Sequence, residues 1–154
     1  MKLVAYDSQF KESLDQYQIE NLTFTGTPAQ ALARAQNDGE YHPILSINSA
    51  GAITNFFVLD HGSDRLRYEH REDCLLLRSF STDSRYLRQG YALQSLQLLS
   101  DYAHRNFPDI PLVVLGVNAR NSPAQKLYEK AGFTRLERTF TGGKGPQFIY
   151  RLAV

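Results

Sequence analysis

The stretch Leu87-Arg88-Gln89-Gly90-Tyr91-Ala92 places a glycine and an alanine at the opening of a helical pattern, with basic and amide side chains beside them. Glycine is a costly residue in a helix, so its place there asks for a reason. An α-helix leaves its first backbone N–H groups unpaired, and they carry partial positive charge. Such an end suits an anion, phosphate above all. Gly90 has no Cβ to hold a ligand away, Ala92 keeps the next turn small, and Arg88 and Gln89 can add donors. The apolar run "CLLLRSF" (74–80) just before reads as a buried strand. Strand, loop and helix N-terminus in succession can hold a diphosphate. There is no Gly-Lys-Ser/Thr, which excludes a P-loop. There is no second and third glycine at dinucleotide spacing. The alternative is that Gly90 relieves close packing and the arginines are solvated.

A second segment, "VNARNSPAQKLYEKAGF" (117–133), also follows an apolar strand, "LVVLGV" (112–117). Ser122 reads as the N-cap, Pro123 fits the first turn, Gln125 would close a capping box, and Gly132 is the stop. Asn121 stands just before the cap. Ala124, Leu127, Tyr128 and Ala131 fall on one face. On periodicity alone, Tyr128 is a core tyrosine whose hydroxyl finds a backbone partner. The four histidines are scattered and there is one cysteine, Cys74, in an apolar run. They give no metal-ligand spacing, so no metal is expected, and Cys74 reads as a core thiol.

These segments need a scaffold. "KLVAY" reads as a first strand, and Phe10, Leu14 and Tyr17 follow at helical spacing. Thr27, Pro28 and Gln30 spell a capping box with proline at the first helical position, and Gly39 would end that helix. "PILSIN" and "ITNFFVLD" read as a hairpin around "SAG". "DHGSDRLRYEHRED" is a polar excursion. From Gly90, residues Ala92, Leu96, Leu99, Ala103 and Phe107 continue at helical steps until "NFPDIP". "FTRLERTF" and "QFIYRL" alternate as strands around "TGGKG". No linker or repeat interrupts the 154 residues, so residues 1–154 are expected to form one α/β (α+β) domain, a mixed sheet with helices on both faces.

Composition narrows the partners. With 17 basic and 16 acidic residues the formal net charge is +1, so no global field favours nucleic acid or a membrane surface. No apolar run approaches a membrane span or a signal peptide. A soluble, cytoplasmic setting is expected.

The pattern Asn121-x-x-Ala124-x-x-Leu127-Tyr128-x-x-x-Gly132-Phe133 resembles the acetyl-CoA site of the GCN5-related N-acetyltransferase family. The Leu87–Ala92 stretch resembles the same family's Gln/Arg-x-x-Gly-x-Gly/Ala loop, and the two motifs come in the family's order. The resemblance implies a mixed, mostly antiparallel sheet with two adjacent, splayed parallel strands. It implies acetyl-CoA as donor and direct transfer of acetyl to the amine of a small molecule or peptide, and a homodimer is compatible with it. Residue by residue, it places Phe80, Ser81 and Thr82 along the pantetheine arm. Leu87, Arg88, Gln89, Gly90, Tyr91 and Ala92 fall at the pyrophosphate, Asn121 on the cofactor, and Tyr128 near the cofactor sulfur as proton donor to the leaving thiolate. Leu87 departs from the family's Gln/Arg, a loss that Arg88, Gln89 or Arg85 would cover. Glu69, His70, Glu72, Asp73, His42 and His61 are candidate bases, with a water relay as the alternative. The competing reading is an acyl-CoA-binding module of the same fold without turnover.

Overall fold

A computed structural model describes all residues, Met1–Val154. Seven strands form one sheet: β1 (Lys2–Ala5), β2 (Tyr41–Ile47), β3 (Ile53–Asp60), β4 (Cys74–Thr82), β5 (Leu112–Asn118), β6 (Thr134–Gly142) and β7 (Gly145–Ala153), in the order β1-β2-β3-β4-β5-β7-β6. Every neighbouring pair is antiparallel except β4 and β5, which run parallel. The helices are α1 (Lys11–Leu14), α2 (Pro28–Ala35), α3 (Tyr91–Gln97), α4 (Leu99–Asn106) and α5 (Ser122–Lys130).

Strand alternation sorts the sheet's side chains into two cores. On one face Phe57, Leu59, Leu75, Leu77, Val113 and Leu115 meet Leu96 of α3, Leu99 and Tyr102 of α4, and Tyr128 of α5. On the other, Leu45, Ile47, Phe56 and Val58 meet Leu14 of α1 and Ala31 of α2. A smaller cluster, Cys74, Leu76, Leu112 and Val114, lies under Tyr68 from the β3–β4 excursion. Each fully buried leucine or phenylalanine contributes roughly 1.5–3 kcal/mol, so the central strands are the rigid frame on which the loops are mounted.

Local signals act as their chemistry demands at α2. Thr27 accepts from the Gln30 amide (3.2 Å) and Gln30 Oε1 accepts from the Thr27 amide (2.9 Å), a complete capping box. Elsewhere the structure departs from the sequence reading. The cap of α5 is Asn121, not Ser122: its Oδ1 accepts from Ala124 N (3.3 Å), and Gln125 N already donates to Asn121 O, which puts Ser122 inside the helix. Gln125 closes no box; its amide donates to the carbonyls of Asn118 and Ala119 and pins the preceding loop. The helix expected from Gly90 to Phe107 is interrupted at Leu98. The first helix shrinks to Lys11–Leu14 after a 3-10 turn at Ser8–Phe10, although Phe10, Leu14 and Tyr17 still share one core. Helix α2 stops at Ala35, short of Gly39. No helix is long and apolar enough to cross a membrane.

Candidate active site

Strands β4 and β5 pair only from Cys74/Leu112 to Leu76/Val114. Both then run on, held by their outer neighbours: β4 to Thr82 along β3, β5 to Asn118 along β7. The two therefore diverge, and the backbone groups of β4 beyond Leu76 face β5 across a gap. A bulge sharpens the divergence: Ser79 and Phe80 oppose Phe57 alone, and Ser79 takes a left-handed φ of 57°. Bulges of this kind bend a strand and re-aim its groups beside active sites. Peptide groups without partners accept an extended chain that carries amides of its own. The gap opens into a cleft of about 880 Å³ that runs from Phe80, Ser81 and Thr82 to Leu87, Arg88 and Ala92 at the start of α3.

At that end no backbone N–H from Leu87 to Leu93 donates to a protein acceptor; the first that does is Gln94, to Gly90 O at 3.1 Å. Arg88 (φ 59°) and Gly90 (φ 83°) are both left-handed, and turns with left-handed residues can bring successive amides together as donors to an anion. A Cβ on Gly90 would meet only Gln94 Nε2, at 3.8 Å. Close packing is thus not why glycine stands there; the backbone conformation is. Leu87, Arg88 and Ala92 line the cleft. Gln89, Gly90 and Tyr91 belong to the same turn but not to the lining, and Tyr91 sets its hydroxyl 3.4 Å from Asn48 Nδ2 and its ring against Tyr86. Arg85 is not free to replace the Leu87 side chain, because its guanidinium forks onto buried Asp83 (3.1 and 2.7 Å). That leaves Arg88 as the basic side chain of this loop that faces the cleft.

Asn55, fully buried, ties the end of β4 to α3. Its Nδ2 donates to Thr82 Oγ1 (2.8 Å) and Ser81 O (3.4 Å), and its Oδ1 accepts from Ser95 Oγ (3.0 Å) and Thr54 Oγ1 (2.8 Å). Tyr17 adds a hydrogen bond to Ser81 Oγ at 2.9 Å. Neither residue is legible as a site residue in the sequence; Tyr17 shows only as one member of an apolar helical face.

Across the cleft, Asn121 Oδ1 caps α5 while its Nδ2 makes no hydrogen bond in the protein, and the residue lines the cleft. Tyr128, two turns further on, is 8% exposed. Its ring packs against Phe80, Phe133 and Tyr150 at 5.7–6.4 Å. Its hydroxyl has no hydrogen-bond partner, yet it is not among the atoms sealed from solvent, and the residue lines the cleft. Tyr150 and Tyr17 differ, since their hydroxyls bond Glu129 Oε1 and Ser81 Oγ, each at 2.9 Å. Burial pushes the Tyr128 phenol well above its ordinary value, so it holds its proton at neutral pH.

The candidate bases are engaged elsewhere. Glu69 is paired with Arg138 and Arg151 (3.4 Å each), Asp73 with Arg71 (2.7 Å), and His61 with Glu40 (3.4 Å). His42 sets its ring on Phe107. None of these, nor His70 or Glu72, lines the cleft; the carboxylate that does is Glu20.

Residues 7–133 match the model of the acetyltransferase (GNAT) family. The chain is 30% identical over 127 residues to the uncharacterized N-acetyltransferase YbbJ of Bacillus subtilis, covering 82% of this chain and 79% of that one. Its fold is that of the aminoglycoside acetyltransferase AAC(6')-Ib solved with paromomycin and acetyl-CoA (TM-score 0.80, 17% identity, 99% of this chain and 92% of that one). A spermidine N-acetyltransferase SpeG chimera from Vibrio cholerae and hSSAT shares it too (TM-score 0.72, 11% identity, 99% and 94%). With the splayed strands, the open amides before α3 and the Asn121–Phe133 segment in place, the chain belongs to the acetyltransferase (GNAT) family and is an acetyl-CoA-dependent N-acetyltransferase.

Proposed function

We propose that residues 1–154 act as one catalytic unit that moves acetyl directly from acetyl-CoA to the amine of a small molecule, with Tyr128 as proton donor to the leaving thiolate. The observation that carries this reading is the Tyr128 hydroxyl: buried against three aromatic rings, without a partner, at the cleft between β4 and β5. With the ring fixed and no acceptor in the protein, that hydroxyl is left to donate to whatever occupies the cleft.

The cofactor reading follows the cleft. The pantetheine arm pairs with the open edge of β4 at Phe80, Ser81 and Thr82. The pyrophosphate sits on the amides of Leu87, Arg88, Gln89, Gly90, Tyr91 and Ala92, with the Arg88 side chain beside them. Backbone donors do not depend on side-chain identity, so Leu87 in place of a polar residue leaves the site competent. Asn121 donates to the cofactor through Nδ2.

The reaction needs no covalent enzyme intermediate. The neutral amine nitrogen attacks the thioester carbonyl carbon, and the carbonyl oxygen takes up negative charge that a backbone N–H at the Ser79–Phe80 bulge stabilises. The C–S bond then breaks with its electron pair on sulfur. Tyr128 O–H donates a hydrogen bond to that sulfur as the charge develops, and its proton passes to the thiolate as water returns one to the phenol. The proton lost by the amine passes to water, and water restores the phenol. Holding thioester and amine together contributes the rest of the acceleration. Titration of purified protein with acetyl-CoA, followed by release of free CoA thiol across a broad amine panel, tests this: saturable binding and amine-dependent thiol release are expected, and hydrolysis alone or binding without release refutes transfer.

A further inference from the structure

The acceptor must reach the thioester from the side of the sheet that the cofactor does not fill. Along β4, Leu77 belongs to the core shared with Tyr128. Arg78, the next residue, sits beside the Tyr41 ring, which packs in the opposite core. Arg78 lines the cleft and also a recess of about 340 Å³ that it shares with Asp64, Arg67, Tyr68 and Gln147. The recess is thus continuous with the splay, on the far face from Tyr128.

The hydrogen bonds of Arg78 are one-sided. Its Nη1 donates to Asp60 Oδ2 (3.0 Å) and Asp64 Oδ2 (2.9 Å), while Nε and Nη2 donate to nothing. Asp60 is fully buried and is itself fixed by the Gly62 amide (2.8 Å). The guanidinium is therefore clamped at one corner and free along its Nε–Nη2 edge, which matches a carboxylate bidentately. Arg67, exposed and without an ion-pair partner, stands on the same recess. Lys144 lines the cleft and donates to Thr23 O (2.8 Å). A polycationic amine would meet Arg67, Arg78 and Lys144 here. Its counter-charges would be exposed Glu20 and an Asp64 carboxylate whose Oδ2 is already shared by Arg34 and Arg78.

We propose that the acceptor is a small amine that carries a carboxylate, an amino acid or a close relative, with the carboxylate on Arg78 and Arg67 and the amine directed into the β4/β5 splay. The inference rests on acetyl transfer in that splay.

The experiment presents the protein with L-amino acids, each beside its own amide, and with spermidine and kanamycin as polycationic probes. Thiol release is measured in the wild type, Arg67→Gln and Arg78→Lys. The acid of the best pair should exceed its amide in kcat/KM by about tenfold or more, as a charge-assisted pair implies. Both variants should shrink that ratio by raising KM for the acid more than for the amide. Lysine keeps a charge beside Asp60 but lacks the fork. Should Arg78→Lys fail to fold, exposed Arg67→Gln decides by itself. Amides or polycations used as well as the acids, or a ratio that neither variant moves, overturns the proposal. Calorimetry with acetyl-CoA alone separates this from failure of the transfer reading: without cofactor binding, transfer falls, and direct binding of acid against amide still decides the acceptor class.

Discussion

Tyr128→Phe removes one oxygen and keeps the ring between Phe80, Phe133 and Tyr150. A hydroxyl with a protein partner contributes about 0.5–1.5 kcal/mol to stability. The Tyr128 hydroxyl has none, so the variant should unfold within about 0.5 kcal/mol of the wild type. For a chain of this size that is a change in Tm of about 2 °C or less. Turnover should fall by roughly the 10²–10⁴-fold of a lost proton donor, with acetyl-CoA affinity little changed. Tyr150→Phe supplies the contrast. Its hydroxyl bonds Glu129 and lies outside the cleft lining, so that variant should lose about 1 kcal/mol of stability and keep its turnover per folded molecule. The pH profile adds an independent readout. Because burial raises the Tyr128 phenol, it stays protonated through the usual working range, and wild-type kcat should show no alkaline limb from it below about pH 10. Activity should instead rise with pH as the acceptor amine loses its proton. Steady-state kinetics and thermal melts of the two purified variants decide the matter. A well-folded Tyr128→Phe protein with wild-type kcat refutes the assignment and leaves the thiolate to be protonated by water.

Gly90→Val should weaken acetyl-CoA binding by about tenfold or more, measured by calorimetry, because a β-branched residue resists the left-handed conformation that shapes the loop; Gly90→Asn, which tolerates that conformation, should bind far better, and equal affinities would disprove the role of the turn. Asn55→Ala cuts the bonds that join Thr82 and the Ser81 carbonyl to α3, while Ser95 and Thr54 keep Tyr91 O and Ser46 O as acceptors, so a loss of about 1–2 kcal/mol in denaturant unfolding is expected, with a raised KM for acetyl-CoA at temperatures where the protein is folded; an unchanged KM would show that the network is only structural. The hydrogen bond from Arg78 holds the Asp64 carboxyl below its usual value, so its contribution is present above the unfolded carboxylate pKa of ~3.9 and is lost as pH falls through the lower folded value. Melting temperature should therefore drop on acidification below about pH 4, less steeply in Asp64→Asn, and parallel acid profiles would remove Asp64 from the account.

What the sequence shows about this protein divides along the range of the forces involved. The α2 boundary is legible because Thr27, Pro28 and Gln30 satisfy one another's backbone groups within a single turn. The α5 boundary is misplaced by one residue because Asn121 and Ser122 are both competent caps, and the choice is made by a backbone bond, Gln125 N to Asn121 O, that composition does not encode. The place of Gly90 is legible but its reason is not: exclusion of a side chain from a ligand and a left-handed φ select the same residue, and only the angle tells them apart. The bulge at Ser79 carries no signal at all: it is a slip in the pairing with β3, where Ser79 and Phe80 stand against Phe57, and serine has no preference for the left-handed φ it takes there. The proposed acceptor side is the least legible part. Arg34, Asp60, Asp64 and Arg78 come from a helix, two strands and a short turn, and nothing local makes any of them a partner of another. Their geometry exists only after the sheet has formed, and so does the free edge of Arg78. The proposed cofactor contacts, drawn largely from backbone at two helix starts, follow a readable pattern; the proposed acceptor contacts, drawn from side chains brought together by topology, do not.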